Sequence, residues 1–558
     1  MSEPDPGAPI PLDAPQPTWV SRPLPRLAPG SEEVRLPELE RARGFEVQAP
    51  PWVLGRELFL RGLGFVYLVA FISLAGQLPG LFGPRGLAPI QETLALLTAR
   101  HQGWSEWPSL FWWTGAAPET LALVAWGGAG AAFLLMAGLL PQLALAACWV
   151  GYASFVSLGQ PFLSFQWDML LLETGLVGFL LSPGTWWLPR GRARPAPPAL
   201  RWLAWFLLWR LMFFSGVVKL ASGDPCWRDG TALAFHWWTQ PLPNPVSWYM
   251  AQLPAWANKT LVWVTFGVEL ALPFAIPLGR WGRRAALAGF ILLQVGIAVT
   301  GNFGFFNLLT LVLCLSLVDD RDLQRLCRNL WRVPVTEVAA IPARVVQWSG
   351  AWVGWALALL VALPMGLDRV GWMVPPWGPS WLQPAHQWAL ERAAAWHLCS
   401  PYGLFAVMTT ERPEISIEGT LDGRTWAPYV FRWKPGPLDR GPGEAWLHMP
   451  RLDWQLWFAA LRWPGAEPWQ VRLEERLLAA EPAVLSLLES APFGEQRPRA
   501  IRWRVDRYRF SDAGSPEADR GDWWVVTQRG PSAGGLVRTQ RRGTPRRRSP
   551  REDRWTRR

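Results

Sequence analysis

Several residue types are scarce in this 558-residue chain, and each scarcity excludes a class of protein. Charged residues make up only 17% of the chain, whereas 50% of it is hydrophobic and 41 residues are tryptophan. So little charge over such a length argues against a set of soluble domains and favours a membrane protein. The net charge of +11 would suggest nucleic acid in a soluble chain. Because the arginines lie between apolar segments, membrane topology accounts for them better. We expect a lipid bilayer as partner and no nucleic acid.

Cysteine and histidine are also rare, with five of each. The cysteines form no Cys-x-x-Cys pair, which argues against thiol–disulfide exchange and against a structural zinc site. Cys226 and Cys399 could pair, but two unrelated thiols is the interpretation that we favour. The histidines are scattered, and we predict no metal site. His236, in an aromatic loop, is the most suggestive of them, and we favour packing over catalysis for it. A phosphate-binding Gly-x-x-x-x-Gly-Lys loop is absent, so nothing marks a nucleotide-driven pump.

Long apolar runs are abundant and predict an α-helical polytopic membrane domain over residues 51–370 with about nine transmembrane helices. Residues 1–50 are rich in proline and polar residues, and we expect a disordered arm there. The predicted spans are 57–77, 119–139, 142–159, 167–183, 200–221, 260–279, 284–300, 303–318 and 351–367.

Arginine placement predicts the orientation of these spans. With a cytoplasmic N-terminus, the basic loops at 190–194, 280–284 and 321–332 all fall on the cytoplasmic side. The loops 78–118 and 222–259, and everything after about residue 370, then lie outside or in a lumen. We expect the Trp-rich loop 222–259 to dock on the domain that follows the spans.

Beyond residue 395 the pattern changes to short alternating strands, which predicts a β-rich, sandwich-like extracytoplasmic domain over 395–530. Residues 414–419, a turn at Asp422-Gly423 and residues 426–433 read as a hairpin. Residues 502–510 and 523–527 alternate as strands, and a helical insertion is predicted near 468–490. The basic segment 531–558 is expected to be a disordered tail.

Charged side chains inside the predicted spans need partners, because ions are costly in a hydrocarbon core. Lys219, one of only three lysines, closes an apolar helix, and Asp168, Glu173, Arg210 and Glu269 lie in neighbouring spans. A rise of about 1.5 Å per residue gives the depth of each charged residue within its span. Residues at similar depth can meet, which predicts the pair Lys219–Asp168 and a pair of Arg210 with Glu173 or Glu269. We favour structural ion pairs over a reaction site.

These residues belong to longer segments that resemble the lipase maturation factor family over roughly residues 55–527. The matching segments lie at 162–168, 172–175, 215–220, 222–225, Trp227, 239–243, 402–405, 412–415, 417–419, 422–423, Trp426, 434–436 and 450–461.

The resemblance implies a membrane-embedded maturation or assembly factor, chaperone-like and without catalytic residues or cofactor. Its animal members act in the endoplasmic reticulum on homodimeric lipases. The arginine-rich, lysine-poor composition predicts a bacterial member in the plasma membrane, whose client is a secreted or membrane-associated protein and possibly a lipase. The candidate interface residues are Asp224, Trp227, His236, Gln240, Tyr402, Arg412, Glu414, Arg451, Asp453, Trp454 and Trp457.

A second, weaker resemblance is to the transmembrane module of vitamin K-dependent carboxylase-like proteins. It implies a membrane enzyme in which Lys219 acts as the base toward a quinol or lipid, with Asp168 and His236 as further catalytic candidates and a quinone as cofactor. Bound quinone in the purified protein would separate this alternative from a maturation factor.

Overall fold

The computed structural model describes residues 52–188, 196–331, 345–372, 380–381, 383–465, 467–530, 532–537 and 546–547. The expected arm at 1–50, the basic segment 190–194 and most of the tail at 531–558 lie outside the described residues.

Helices fill the chain as far as residue 395. They are α1 Leu54–Ala75, α2 Leu78–Leu81, α3 Ile90–Ala99, α4 Phe111–Thr114, α5 Pro118–Ala137, α6 Pro141–Leu158, α7 Gln166–Leu181, α8 Pro198–Ala221, α9 Pro225–Asp229, α10 Ala232–Thr239, α11 Pro245–Ala251, α12 Ala255–Phe266, α13 Gly279–Val299, α14 Phe306–Cys314, α15 Asp320–Trp331, α16 Val345–Leu357, α17 Leu363–Arg369 and α18 Gln383–Ala395. Two π-helical segments, Gly267–Ala271 and Ala358–Ala362, follow α12 and α16 directly.

Among the described residues, six helices are long and apolar enough to cross a membrane. They are α1, α5, α6, α8, α13 and the continuous helical stretch Gly350–Arg369. The prediction of about nine spans is therefore not confirmed. The other three predicted spans are shorter or interrupted: α7 has 16 residues, α14 has 9, and α12 passes after 12 residues into the π-helical segment. Sixteen residues rise only about 24 Å, less than a hydrocarbon core of about 30 Å.

Helix α1 lies at the centre of the helical domain, and small residues allow close packing against α5. A Cβ atom at Gly64 would lie 2.5 Å from the Met136 backbone nitrogen, and one at Gly128 would lie 2.4 Å from the Phe71 ring. The start of α1 is capped from a distance: the Asp320 carboxylate accepts hydrogen bonds from the N–H groups of Val53–Gly55 at 2.7–3.0 Å. This carboxylate satisfies donors that a helix N-terminus leaves unpaired.

The same end of the helical domain carries a network of arginine–carboxylate pairs. Arg201 at the start of α8 donates to the Asp319 carboxylate at 2.9 Å, and Arg283 of α13 donates to its other oxygen at 2.6 Å. Arg284 forms a fork with Asp322 in α15. The described basic loops at 280–284 and 321–325 therefore meet at one end of the helical domain.

The predicted outer loop 222–259 is mostly helical, comprising α9 to α11 and the start of α12. Two of these short helices begin with a capping side chain followed by proline, an arrangement that suits a helix start. Asp224 accepts from Cys226 N at 2.8 Å, and Asn244 forms a capping box with Ser247.

After residue 395 the chain forms a mixed domain of strands and helices, which corrects the expected β-rich sandwich. The strands are β1 Arg412–Thr420, β2 Ala427–Pro428, β3 Val430–Phe431, β4 Leu488–Ser490, β5 Ala500–Phe510, β6 Trp524–Gln528, β7 Ser532–Val537 and β8 Arg546–Arg547; the helices are α19 Arg451–Leu461, α20 Pro468–Leu478, α21 Pro482–Leu485 and α22 Pro516–Asp519. Helix α19 packs against β1. The sequence analysis did not predict α19, because the residues of this helix lie between segments with strand-like alternation.

The six-stranded antiparallel sheet is built on β5. Its order is β2-β1-β5-β7-β8, with β6 also on β5, and Ile417 of β1 faces Trp503 of β5. The predicted hairpin reduces to two residue pairs between β1 and β2, while β3 pairs with β4. Residues 532–537, expected to be disordered, form β7 along the part of β5 that β6 leaves open. Backbone N–H and C=O groups of β5 that would otherwise lack a partner pair with this part of the tail.

Candidate functional site at the seam of the two domains

The C-terminal domain, residues 398–530, lies against one end of the helical domain and against segment 222–259. We call this contact surface the seam. Several side chains with which the sequence analysis was concerned meet there, and they fall into separate clusters.

The first cluster centres on Arg451, the first residue of α19. Its guanidinium binds the Asp168 carboxylate through two hydrogen bonds of 2.9 Å and also donates to the Tyr152 hydroxyl and the Phe162 carbonyl. Tyr152 donates to Asp168 at 2.6 Å. Asp168 is 0% exposed. A forked arginine–carboxylate contact of this kind is both strong and directional, so it fixes α19 on the ends of α6 and α7.

Lys219 belongs to a second cluster, and its expected pairing with Asp168 is wrong. Its ammonium lies 2.8 Å from both Glu269 carboxylate oxygens, 2.9 Å from the Ser215 carbonyl and 5.3 Å from the Trp227 ring centroid. Glu269 stands in the π-helical segment after α12, where the wider turn presents it to α8. The position estimated from the rise per residue correctly placed Lys219 near the end of α8. That estimate contains no information on the direction in which the side chain points.

The third cluster joins Arg210 to Glu173. Two hydrogen bonds of 2.8 and 2.9 Å link the guanidinium to the carboxylate, and Glu173 was one of its two expected partners. Tyr402 of the C-terminal domain donates to the same carboxylate at 2.6 Å, and the Ser400 carbonyl accepts from Arg210. Residues of the C-terminal domain thus provide the remaining hydrogen bonds of the Arg210–Glu173 pair in the helical domain.

Segment 222–259 contacts the C-terminal domain through backbone carbonyls and a few side chains. Arg412 of β1 donates to the carbonyls of Trp238, Gln240 and Pro241 at 2.5–3.0 Å and is held by Glu414 at 3.0 Å. On α19, the Trp457 indole donates to the Thr239 carbonyl at 2.9 Å.

Asp224 and Trp227 anchor the other side of that segment. The second Asp224 carboxylate oxygen accepts from Met408 N at 2.5 Å, and the Trp227 indole donates to the Phe405 carbonyl at 2.9 Å. The Gln240 amide reaches back to the Thr300 carbonyl. Segment 222–259 is therefore held at residues 224–227 by Phe405 and Met408, and at residues 238–241 by Arg412 and α19.

Two candidate interface residues have other surroundings. Asp453 lies inside the C-terminal domain, where its carboxylate accepts from Trp433 N and Lys434 N at 2.9 and 3.0 Å. Burial raises the pKa of Asp453. Trp454 packs its ring 4.8 Å from Trp167 and 5.9 Å from Phe303, so it joins the domains by aromatic contact.

His236 packs edge-on against Phe405, with ring centroids 4.9 Å apart. Burial, with a smaller effect from the Lys219 charge, lowers the pKa of His236 to about 4. Cys226 and Cys399 are free thiols in separate apolar clusters.

The geometry does not favour the enzyme alternative. Lys219 is engaged as a cation by Glu269, whereas a general base must carry a free lone pair. Asp168 contacts Arg451 and Tyr152 and makes no hydrogen bond with Lys219 or His236. The three candidate catalytic residues are thus divided between two clusters.

Two voids border the seam. The first, which we call the Trp454 groove, has a volume of about 210 Å³. Apolar side chains including Phe303, Phe405, Val407 and Trp457 line it, with Arg369 beside them. The second, the Lys219 cavity, measures about 110 Å³ and contains the Lys219–Glu269 pair in its wall. Phe303, Leu404 and Phe405 contact both voids.

Sequence reasoning missed several residues that complete the seam. Gln77 at the end of α1 donates to the Met449 carbonyl and accepts from Arg451 N. Asn302 similarly bridges the Gly443 carbonyl and Ala445 N. The only signal in the sequence was the position of these two amide side chains directly after an apolar helix. Their partners in the C-terminal domain lie more than a hundred residues away in the chain.

These observations define a class: an integral membrane protein in which a sheet-and-helix domain closes one end of a helical domain through buried ion pairs. Residues 54–325 match the family model described as the lipase maturation factor transmembrane domain, and residues 398–532 match the lipase maturation factor C-terminal domain. The chain belongs to the lipase maturation factor family.

Named relatives cover most of the chain. Lipase maturation factor 2 of Homo sapiens is 34% identical over 588 residues, covering 84% of this chain and 81% of the human protein. Lipase maturation factor 1 of Bos taurus is 33% identical over 534 residues, covering 90% and 92% of the two chains. For the Mus musculus lipase maturation factor 1 the identity is 34%, with 86% of each chain covered. No solved structure matches the chain.

Proposed function

We propose that this chain is a membrane-embedded maturation factor that holds partly folded client proteins at the seam and releases them once their apolar surface is buried. The observation that carries the proposal is the Trp454 groove. Family membership gives the class of activity, and the groove gives a surface of suitable chemistry. The clients are secreted or membrane-associated proteins, and a homodimeric lipase is the first one to test.

The groove suits an apolar side chain of an unfolded segment. Trp457 and Phe458 are half-buried on one side, and Val407 is 65% exposed on the other. Aromatic side chains contribute large contact area at low entropic cost, which makes them frequent anchors of binding energy. Incompletely folded proteins expose the apolar segments that such a groove accepts, and burial of those segments on folding removes the contact.

We further propose that the C-terminal domain faces outward and the arginine-rich end of the helices faces the cytoplasm. The meeting of Arg201, Arg283 and the loop 280–284 at one end of the helical domain supports this orientation under the positive-inside rule. A cysteine placed at Asp439 should react with an impermeant maleimide added outside, and one placed at Arg280 should not. The reverse labelling pattern would contradict the orientation.

The client-holding activity can be measured with purified protein in detergent. A chemically unfolded secreted homodimeric lipase is diluted with or without the maturation factor, and recovered lipase activity is recorded. We expect the chain to raise the yield and Val407→Glu to reduce that gain by about tenfold, because a charge would have to enter an apolar contact.

The matched control is Leu421→Glu, which introduces the same charge at another exposed apolar residue of the C-terminal domain, 47% exposed and in the turn after β1. It should leave the gain unchanged. Equal loss in both variants, or no gain with the unaltered chain, would reject the groove as the client site.

A further inference from the structure

The Lys219 cavity lies between α8, α12, α13 and residues 404–405, next to the Trp454 groove, with which it shares Phe303, Leu404 and Phe405. Most of its wall is apolar, including Leu211 and Met212 of α8 and Ile297 of α13. On α13 the lining residue Ile297 is half-buried, whereas Leu292 on the same helix is 68% exposed. Because α13 is a candidate span with most of its surface exposed, the cavity borders the surface that faces lipid.

Two polar side chains in this wall are unsatisfied. Gln294 is only 5% exposed, and its oxygen accepts from Asn307 at 2.8 Å, but its amide nitrogen donates to no residue that the structure describes. The His236 ring nitrogens likewise have no hydrogen-bond partner in the described part of the chain, although the ring packs against Phe405. Both side chains line the cavity, so their nitrogen atoms are open to it and not enclosed by protein. Polar groups of largely buried side chains usually have a partner, so a ligand in the cavity can supply the missing one.

The charges around the cavity restrict the missing partner. Lys219 is already neutralised by Glu269 through both oxygens, so an anionic ligand would have to displace a buried carboxylate. A neutral imidazole offers one donor and one acceptor, and the Gln294 amide offers donors. The oxygen of a hydroxyl or an ester carbonyl can accept hydrogen bonds from the imidazole N–H and from the Gln294 amide without adding charge.

We infer that the Lys219 cavity binds the polar end of an uncharged acylglycerol that enters from the bilayer, with its hydroxyl or ester carbonyl at Gln294 and His236. The cavity volume of about 110 Å³ is smaller than the roughly 300–1,000 Å³ of a pocket that encloses a whole ligand. It therefore holds one end of the molecule, while the acyl chain lies along the half-buried residues of α13.

The test uses the full-length protein in detergent and a photoactivatable 1-monoolein that carries a diazirine in its acyl chain. We expect labelled peptides from α8 or α13, and labelling that unlabelled monoolein suppresses and that oleate or phosphatidylcholine does not. Ile297→Trp, which fills the cavity, should lower labelling about tenfold. Leu292→Trp is the matched control on the lipid-facing side of α13 and should change labelling by less than about twofold.

A second variant covers the case in which Ile297→Trp does not fold. His236→Phe keeps a ring against Phe405 and removes the ring nitrogens, so labelling should fall about threefold to tenfold, the effect of one hydrogen bond. The inference is overturned if labelling lies outside the cavity, if folded Ile297→Trp labels as the unaltered chain does, or if oleate competes as well as monoolein.

Discussion

The contact between Arg451 and Asp168 gives the sharpest prediction, because it joins the two domains across 283 positions of sequence through a fully buried ion pair. Asp168→Asn keeps the size of the side chain and removes its charge, so the Arg451 guanidinium is left buried without a counter-charge and with one acceptor oxygen fewer. Removal of one partner of a buried pair costs about 3–5 kcal/mol.

That loss can be measured as a change in thermal stability. At about 2–4 °C per kcal/mol for a cooperative unit of 150–250 residues, the apparent melting temperature in detergent should fall by about 6–20 °C. Arg451→Met should cause a loss of similar size. The double variant should recover part of it, because both charges are then gone, with a coupling of about 0.5–3 kcal/mol.

A control pair shows whether burial is responsible. Arg507 and Glu411 lie 2.6 Å apart in the same domain, but their side chains are about half exposed. Glu411→Gln should change stability by at most about 1 kcal/mol. If Asp168→Asn shifts the melting temperature no more than Glu411→Gln, or if the effects of Asp168→Asn and Arg451→Met simply add, the ion pair does not hold the seam.

Three further predictions follow from the other clusters. Lys219→Met and Glu269→Gln should each lower the melting temperature, and their combination should recover part of the loss in the same type of cycle. Arg412→Lys should speed cleavage of segment 222–259 in limited proteolysis, because a lysine cannot donate to three carbonyls in the geometry of the guanidinium. Burial lowers the pKa of His236 and of His397 to about 4, below the ordinary 6.5, so stability should fall as pH drops from about 7 toward 4, since the unfolded chain binds protons first.

The controls for these three measurements are specific. Lys219→Met should add to Asp168→Asn without coupling, since the two residues lie in different clusters. For proteolysis, Arg509→Lys changes an exposed arginine and should leave the cleavage rate unaltered. The pH effect should shrink in His236→Phe, and because both residues keep a minor exposed fraction it will be smaller than full burial would give. A melting temperature that stays constant from pH 7 to pH 5 would contradict it.

Local patterns were sufficient to predict a large part of the fold. The apolar runs predicted the positions of α1, α5, α6, α8 and α13, because helix formation in a bilayer depends mainly on the length and polarity of a continuous segment. Alternation likewise predicted β5, whose side chains face two different environments. The number of spans does not follow from local patterns, since short apolar helices enclosed by protein resemble short spans in composition.

The positions of charged residues within apolar segments were also enough to predict that these charges are paired, because lone ions in an apolar interior are too costly to keep. It could not determine the partners. Asp168 pairs with Arg451 from a domain almost three hundred residues later, and Glu269 reaches Lys219 through a π-helical turn that no spacing rule revealed. Partner choice depends on the rotation of each helix and on how the domains dock, and both arise from packing over the whole chain. Which charges meet therefore follows from the packing of the folded chain.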